Sequence, residues 1–209
     1  SSMSMKIRSI DRVVPATKAN PMVTRLVGTV DIDGKGTSHA LDQVDPVILL
    51  DQGTISTDNK PPFGAHPHRG HSVVTVLMRG QVKSWDSFSN KDTTLKGPAS
   101  YWVDAGTGLF HNEVSVIPDE SDTKQHVGLF QLWIGVREED RQKAPRTQHV
   151  SDLPLVDAVD DNGNVVGSIQ YYVGGDSGVN TPHPVVVAHV KQKANSLYRF
   201  PIDPTHGGF

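Results

Sequence analysis

Cysteine is missing from this chain of 209 residues. A disulfide framework, a thiolate metal site and a cysteine nucleophile are therefore excluded; the absence is compatible with a reducing compartment without establishing one. No apolar run approaches the roughly twenty residues that a membrane-crossing helix needs. Charge of one sign is lacking too: 20 basic side chains stand against 23 acidic ones, for a formal charge of −3. That balance argues against a general attraction to nucleic acid or to an anionic membrane, so neither is expected as a direct partner. There is no Gly-x-Ser-x-Gly elbow, phosphate-binding glycine loop or dinucleotide fingerprint, and no internal repeat, low-complexity tract or heptad. The opening Ser1 to Met5 lacks the charged-then-apolar plan of a secretory signal. A cytoplasmic protein is expected, or a nuclear one if the source is eukaryotic.

What the chain does have is punctuation. Nineteen glycines and fourteen prolines separate short segments rich in Val, Ile and Thr, the pattern of many brief strands joined by tight turns. Strands are expected at Val47–Leu50, Ser72–Leu77, Gln81–Asp86, Gly128–Val136, Val165–Val173 and Val185–Val190. Asn162-Gly163 reads as a two-residue hairpin turn, because both residues tolerate positive φ. The polar stretch Arg137 to Lys143, closed by Pro145, reads as a solvated connector and marks a seam. The length suits one large β domain or two small ones and is enough to bury a core unaided. An all-β barrel or sandwich follows.

Two histidine-containing runs stand out: His66-Pro67-His68-Arg69-Gly70 and His111-Asn112-Glu113. Each places two metal-ligand side chains at i and i+2, which share a face in an extended strand. Three imidazoles and one carboxylate gathered from two strands would hold a divalent transition metal. A lone His-x-His among ten histidines is more often a surface or hydrogen-bonded pair. The context strengthens these two. His66 and His68 follow Pro61-Pro62-Phe63-Gly64 and precede the apolar Val73–Leu77. His111 and Glu113 follow Ala105-Gly106-Thr107-Gly108, a turn whose glycines allow close backbone approach to a ligand. A meander between the pairs is expected to bring them across a barrel interior.

These residues resemble the pirin family of the cupin superfamily. The likeness rests on His66-Pro67-His68-Arg69-Gly70, on Gly106-Thr107-Gly108 with His111 and Glu113, and on Ser84 to Asn90. Gly128 to Ile134 and Ala144 to Gln148 add to it. It is dense from Asp45 to Val150 and thinner elsewhere. The resemblance implies an all-β cupin double-stranded β-helix barrel of bicupin type, with a metal-binding unit over 1–150 and a partial second unit over 151–209. It implies His66, His68, His111 and Glu113 as ligands, Fe(2+) as the metal with Cu, Ni, Mn or Zn as alternatives, and cleavage of quercetin-like flavonols by dioxygen. Glu113 would then serve as base, and Phe63 and Phe110 as pocket walls. As the alternative, the family implies a regulatory protein that binds a transcription factor or a metabolic enzyme through a metal-dependent surface.

Two departures are evident. Position 72 holds Ser72 where pirins keep a glutamate, which should alter the field at the metal, and position 71 holds His71 instead of an aromatic. Counted by strand alternation, His71 points away from His68 and reads as a half-exposed surface histidine. The family also continues well past Phe209. A second barrel that stops there would leave unpaired strand edges, offset by oligomerisation through them or by a shortened sandwich. Of the remaining histidines, His39, His126, His149, His183, His189 and His206 lack partners at ligand spacing. Trp85, Trp102 and Trp133 read as core aromatics, and Asp160 to Asn164 as a turn in preference to a calcium loop.

Overall fold

Strands form wherever β-branched segments alternate or run apolar between turn residues. A computed structural model describes residues 16–20, 22–31, 37–39, 44–55, 64–116 and 127–201. In chain order the strands are β1 (Thr17–Asn20), β2 (Val23–Val27), β3 (Thr29–Asp31), β4 (Thr37–His39), β5 (Val47–Ile55), β6 (His66–His68), β7 (His71–Arg79) and β8 (Gln81–Asp86). They continue as β9 (Asp92–Lys96), β10 (Ala99–Asp104), β11 (Leu109–Val116), β12 (Val127–Gly135), β13 (Arg146–Val150), β14 (Leu155–Val159), β15 (Val165–Val173) and β16 (Val187–Gln192). The described residues include no α-helix, and no helix long and apolar enough to cross a membrane.

A seven-stranded sheet in the order β1-β2-β5-β12-β7-β10-β13 faces a four-stranded sheet, β6-β11-β8-β9. Their facing sides share one buried cluster: Val73 and Leu77 of β7, Tyr101 and Val103 of β10 and Leu129 of β12 meet Val82 of β8, Leu95 of β9 and Leu109 of β11. Together they make a β-barrel. The opposite side of the seven-stranded sheet is buried as well. There Val74, Val76, Trp102, Leu132 and Ile134 pack against Leu153, Tyr172, Val173 and Val179. With both faces covered, β7 has no need of polar alternation, and six consecutive residues from Ser72 to Leu77 are buried. A third sheet, β14-β15-β16, has its own small core around Ala158, Val166 and Ile169.

Four expectations are corrected. The meander does not stay in one sheet: β7 lies in the seven-stranded sheet, whereas β8 and β9 cross to the other. The 159–165 hairpin closes through a longer loop than Asn-Gly alone. Asp160 N–H donates to the Asn164 carbonyl at 2.9 Å, and only Gly163 has positive φ, at 85°. In the 105–108 turn, Gly106 makes room for protein. Gly106 has φ 48°, and a Cβ there would stand 2.1 Å from the Lys143 carbonyl oxygen. That contact docks the 137–150 connector on the barrel, and the Thr107 N–H donates to the same carbonyl at 2.9 Å. The connector is not wholly solvated: Asp140, in the short 3-10 turn Glu138–Asp140, is buried and pairs with Lys143 and with His183.

Trp102 is 1% exposed and donates its indole N–H to Asp104 at 2.8 Å. Removing so large a buried ring leaves a cavity, and Trp102→Ala should cost about 3–5 kcal/mol. The check is chemical denaturation followed by far-UV circular dichroism. An unchanged midpoint would mean that packing on this outer face does not hold the sheet.

Candidate metal centre

The two histidine motifs meet by direct strand pairing. β6 runs antiparallel to β11 with His66 opposite His111, Pro67 opposite Phe110 and His68 opposite Leu109. Directly opposed residues of an antiparallel pair have Cβ atoms about 5 Å apart, so the motifs are neighbours in one sheet, not partners across the barrel as the meander implied. Alternation then sends His66, His68, His111 and Glu113 to the interior. His68 and His111 are buried and His66 is partly so.

The imidazoles converge through their Nε2 atoms. His68 Nε2 lies 2.9 Å from His111 Nε2, which lies 3.0 Å from His66 Nε2. The ligand atoms of all three residues fall within 4.8 Å of one another. The opposite nitrogens explain the orientation. His66 Nδ1–H donates to the Gly64 carbonyl at 2.9 Å, and His68 Nδ1–H donates to His71 Nε2 at 3.1 Å. Both rings therefore present Nε2 lone pairs inward. A single proton on His111 Nε2 can meet only one of its two neighbours, whereas a cation meets all three. Two nitrogens at right angles around one ion, each about 2.1 Å from it, stand about 3.0 Å apart, which matches both separations. The described residues thus form a group able to hold a metal ion.

Burial makes these imidazoles poor proton acceptors. Burial first, then the neighbouring imidazoles His111, His71 and His66, push His68 down to about 3. Burial and His66 push His111 down to about 3. Both rings are neutral at physiological pH, the form that ligates metal.

Glu113 stands apart from that trio. Its Oε2 accepts from Thr75 Oγ1 at 3.1 Å and from Gln131 Nε2 at 3.3 Å. Its Oε1 is closed to solvent with no hydrogen-bond partner. Burial pushes the carboxyl up to about 7, against the opposing pull of those two donors. The rest of the polar interior is a row across the seven-stranded sheet: Gln131 is register partner of Thr75, Thr75 of Tyr101, and Tyr101 of His149. Tyr101 stacks on His149, with ring centroids 4.3 Å apart, and His149 Nε2 lies 2.8 Å from Ser84 Oγ. The Tyr101 hydroxyl is buried without a partner, and its pKa is raised by burial, by Asp86 and by Glu113.

Several sequence expectations shift. His71 faces His68 while staying partly exposed, and Ser72 faces the other way and donates to Asp104 at 2.8 Å. Parity counting fails here because Gly70, at φ 72°, ends β6 and restarts the alternation in β7. The missing glutamate therefore leaves the imidazole side untouched. His149 and His183 are not solitary: the first joins Tyr101 and Ser84, the second pairs with Asp140 at 2.6 Å. Phe110 is 51% exposed and points outward, on the face opposite His111. Phe63, His126 and His206 lie outside the described residues. Thr75 and Gln131 were overlooked, although a lone polar residue within an apolar strand was the available signal.

Metal binding needs Glu113 as a carboxylate if it is to ligate, and its raised pKa keeps it protonated below about 7. Nickel(II) binding at about pH 6 should therefore release about one more proton than at about pH 8. Calorimetry in buffers of different ionisation enthalpy reads this difference, and Glu113→Gln should abolish it. Equal release at both pH values would contradict the assignment.

A family model described as Pirin matches residues 29–134. A pirin-like protein of Solanum lycopersicum is 30% identical over 169 residues, which cover 81% of this chain and 55% of that protein. Thus the chain spans about half the length of a curated relative it matches. Among solved structures, quercetin 2,3-dioxygenase from Acinetobacter baumannii aligns with TM-score 0.64 at 21% identity, covering 86% of this chain and 56% of that one. A bacterial pirin from Escherichia coli in complex with nickel(II) aligns with TM-score 0.52 at 17% identity, covering 76% and 67%. Since the model match takes in half of its residues, the chain belongs to the Pirin family.

Proposed function

We propose that this chain is a metal-dependent oxygenase unit that cleaves quercetin-like flavonols, with Fe(II) as its resident ion. His66, His68 and His111 would hold the ion, and Glu113 would be the fourth ligand. The observation that carries this reading is the convergence of three imidazole Nε2 atoms through contacts of 2.9 and 3.0 Å; on the same strand as His111, two residues on, Glu113 keeps a buried carboxylate oxygen without a hydrogen-bond partner. The printed names of two structural neighbours, a quercetin 2,3-dioxygenase and a nickel-bound pirin, support the substrate and metal classes. In the same reading residues 1–150 form the metal-binding unit, and 151–209 belong to a second cupin-like unit.

The ion, when bound, supplies Lewis acidity and a redox centre. The protein supplies the proton chemistry. Thr75 and Gln131 hold Glu113 Oε2 in place, so Oε1 is the oxygen that would ligate the ion and, on swinging off it, accept the proton of the flavonol's enolic hydroxyl. Tyr101, buried with an unpartnered O–H beside Glu113, is placed to donate to an anionic oxygen formed there.

The test is turnover. Protein loaded with iron(II), and separately with copper and nickel, is given quercetin in air, and loss of flavonol absorbance is followed. Glu113→Gln should lower the rate by about 100-fold or more, in the range of a general base. His66→Ala and His111→Ala should lose metal stoichiometry altogether. No turnover with any metal, in protein that still binds one, would overturn the enzyme reading in favour of a metal-dependent regulatory protein.

A further inference from the structure

Position 71 carries an imidazole with both ring nitrogens engaged. Its Nδ1–H donates to the Arg69 carbonyl at 2.9 Å, so its Nε2 is a lone pair, and that lone pair accepts the His68 Nδ1–H at 3.1 Å. The two rings stand nearly perpendicular, at 85° with centroids 5.2 Å apart, which presents the His68 N–H edge-on to its acceptor. Trp133 braces both: it lies 5.1 Å from His71 at 30°, and 5.2 Å from His68 at 84°. The Gly70 turn at φ 72° aims the ring inward.

We propose that His71 is the positioning residue of the metal centre. It fixes His68 in the tautomer whose Nε2 lone pair faces His111, and by accepting the hydrogen bond it makes that nitrogen a stronger donor to a first-row divalent ion. This rests on the reading that His66, His68 and His111 hold the metal. A packing role alone would need only an aromatic ring against Trp133, and an acceptor nitrogen would be irrelevant to it. Two features favour the acceptor role. The Arg69 carbonyl sets the tautomer of His71, and that tautomer in turn sets the one His68 adopts.

The test uses the whole chain and cobalt(II), whose visible spectrum reports the ligand field. His71→Phe keeps a ring against Trp133 and removes the acceptor. It should weaken cobalt affinity about 10–100-fold and shift the visible bands. His71→Gln offers an amide oxygen to the same N–H and should recover most of the affinity. Should the Phe variant not fold, His71→Gln against His71→Met makes the same comparison with side chains of similar length. Unaltered affinity and spectrum in the variants lacking an acceptor, while His66→Ala still abolishes binding, would overturn the proposal alone. Failure of the unaltered chain to bind cobalt, or full binding by His66→Ala, would overturn the metal reading and this proposal with it.

Discussion

Three backbone pairs between β6 and β11 hold the two histidine motifs side by side, and the rest of the centre is built around them. Side chains alternate with a period of two, so a slip of one residue would turn His66 and His68 outward and bring Pro67 in. A strand of three residues cannot guard its own register. The guard is supplied at its ends. Gly64 receives the His66 Nδ1–H, and the Gly70 N–H donates to the Gly106 carbonyl at 2.9 Å. Gly106 in turn lies against Lys143 with no room for a Cβ. The ligand geometry is therefore tied to a connector more than thirty residues further along the chain.

The barrel interior places two polar rows face to face inside an otherwise apolar shell. One row is on the four-stranded sheet, with His66, His111 and Asp86 in register. The other runs across the seven-stranded sheet from Gln131 to His149. Burying so many polar groups is expensive unless each finds a partner. Most do: Asp86 accepts from the Phe88 and Ser89 N–H groups and from the Ser89 hydroxyl, and the rows are joined by Thr75 and Gln131 to Glu113 and by Ser84 to His149. The groups left over at the centre include Glu113 Oε1, His111 Nδ1 and the Tyr101 hydroxyl.

Much of this was legible in the sequence. Strands such as Gln81–Asp86 and Val165–Val173 fall on their expected bounds, since glycine and turn residues punctuate them clearly. The three histidines were legible because the i, i+2 rule within a strand is local. What failed was inference across breaks. Parity carried through Gly70 put His71 and Ser72 on the wrong sides, and loop length alone could not tell adjacent strands from opposed ones. Thr75 and Gln131 escaped notice because their significance lies in long-range register, which couples β7 to β12 across more than fifty residues. His183 and Asp140 likewise meet only through the packing of the later segment onto the connector.

The covered outer face of β7 has a further consequence. Odd-numbered residues of that strand look toward the imidazoles, and even-numbered ones toward Leu153, Tyr172 and Val179. One nine-residue stretch thus writes two messages in interleaved letters, the first addressed to the imidazole side and the second to cohesion. A substitution at an odd-numbered position therefore changes the lining around the imidazoles, and one at an even-numbered position changes the joint behind it.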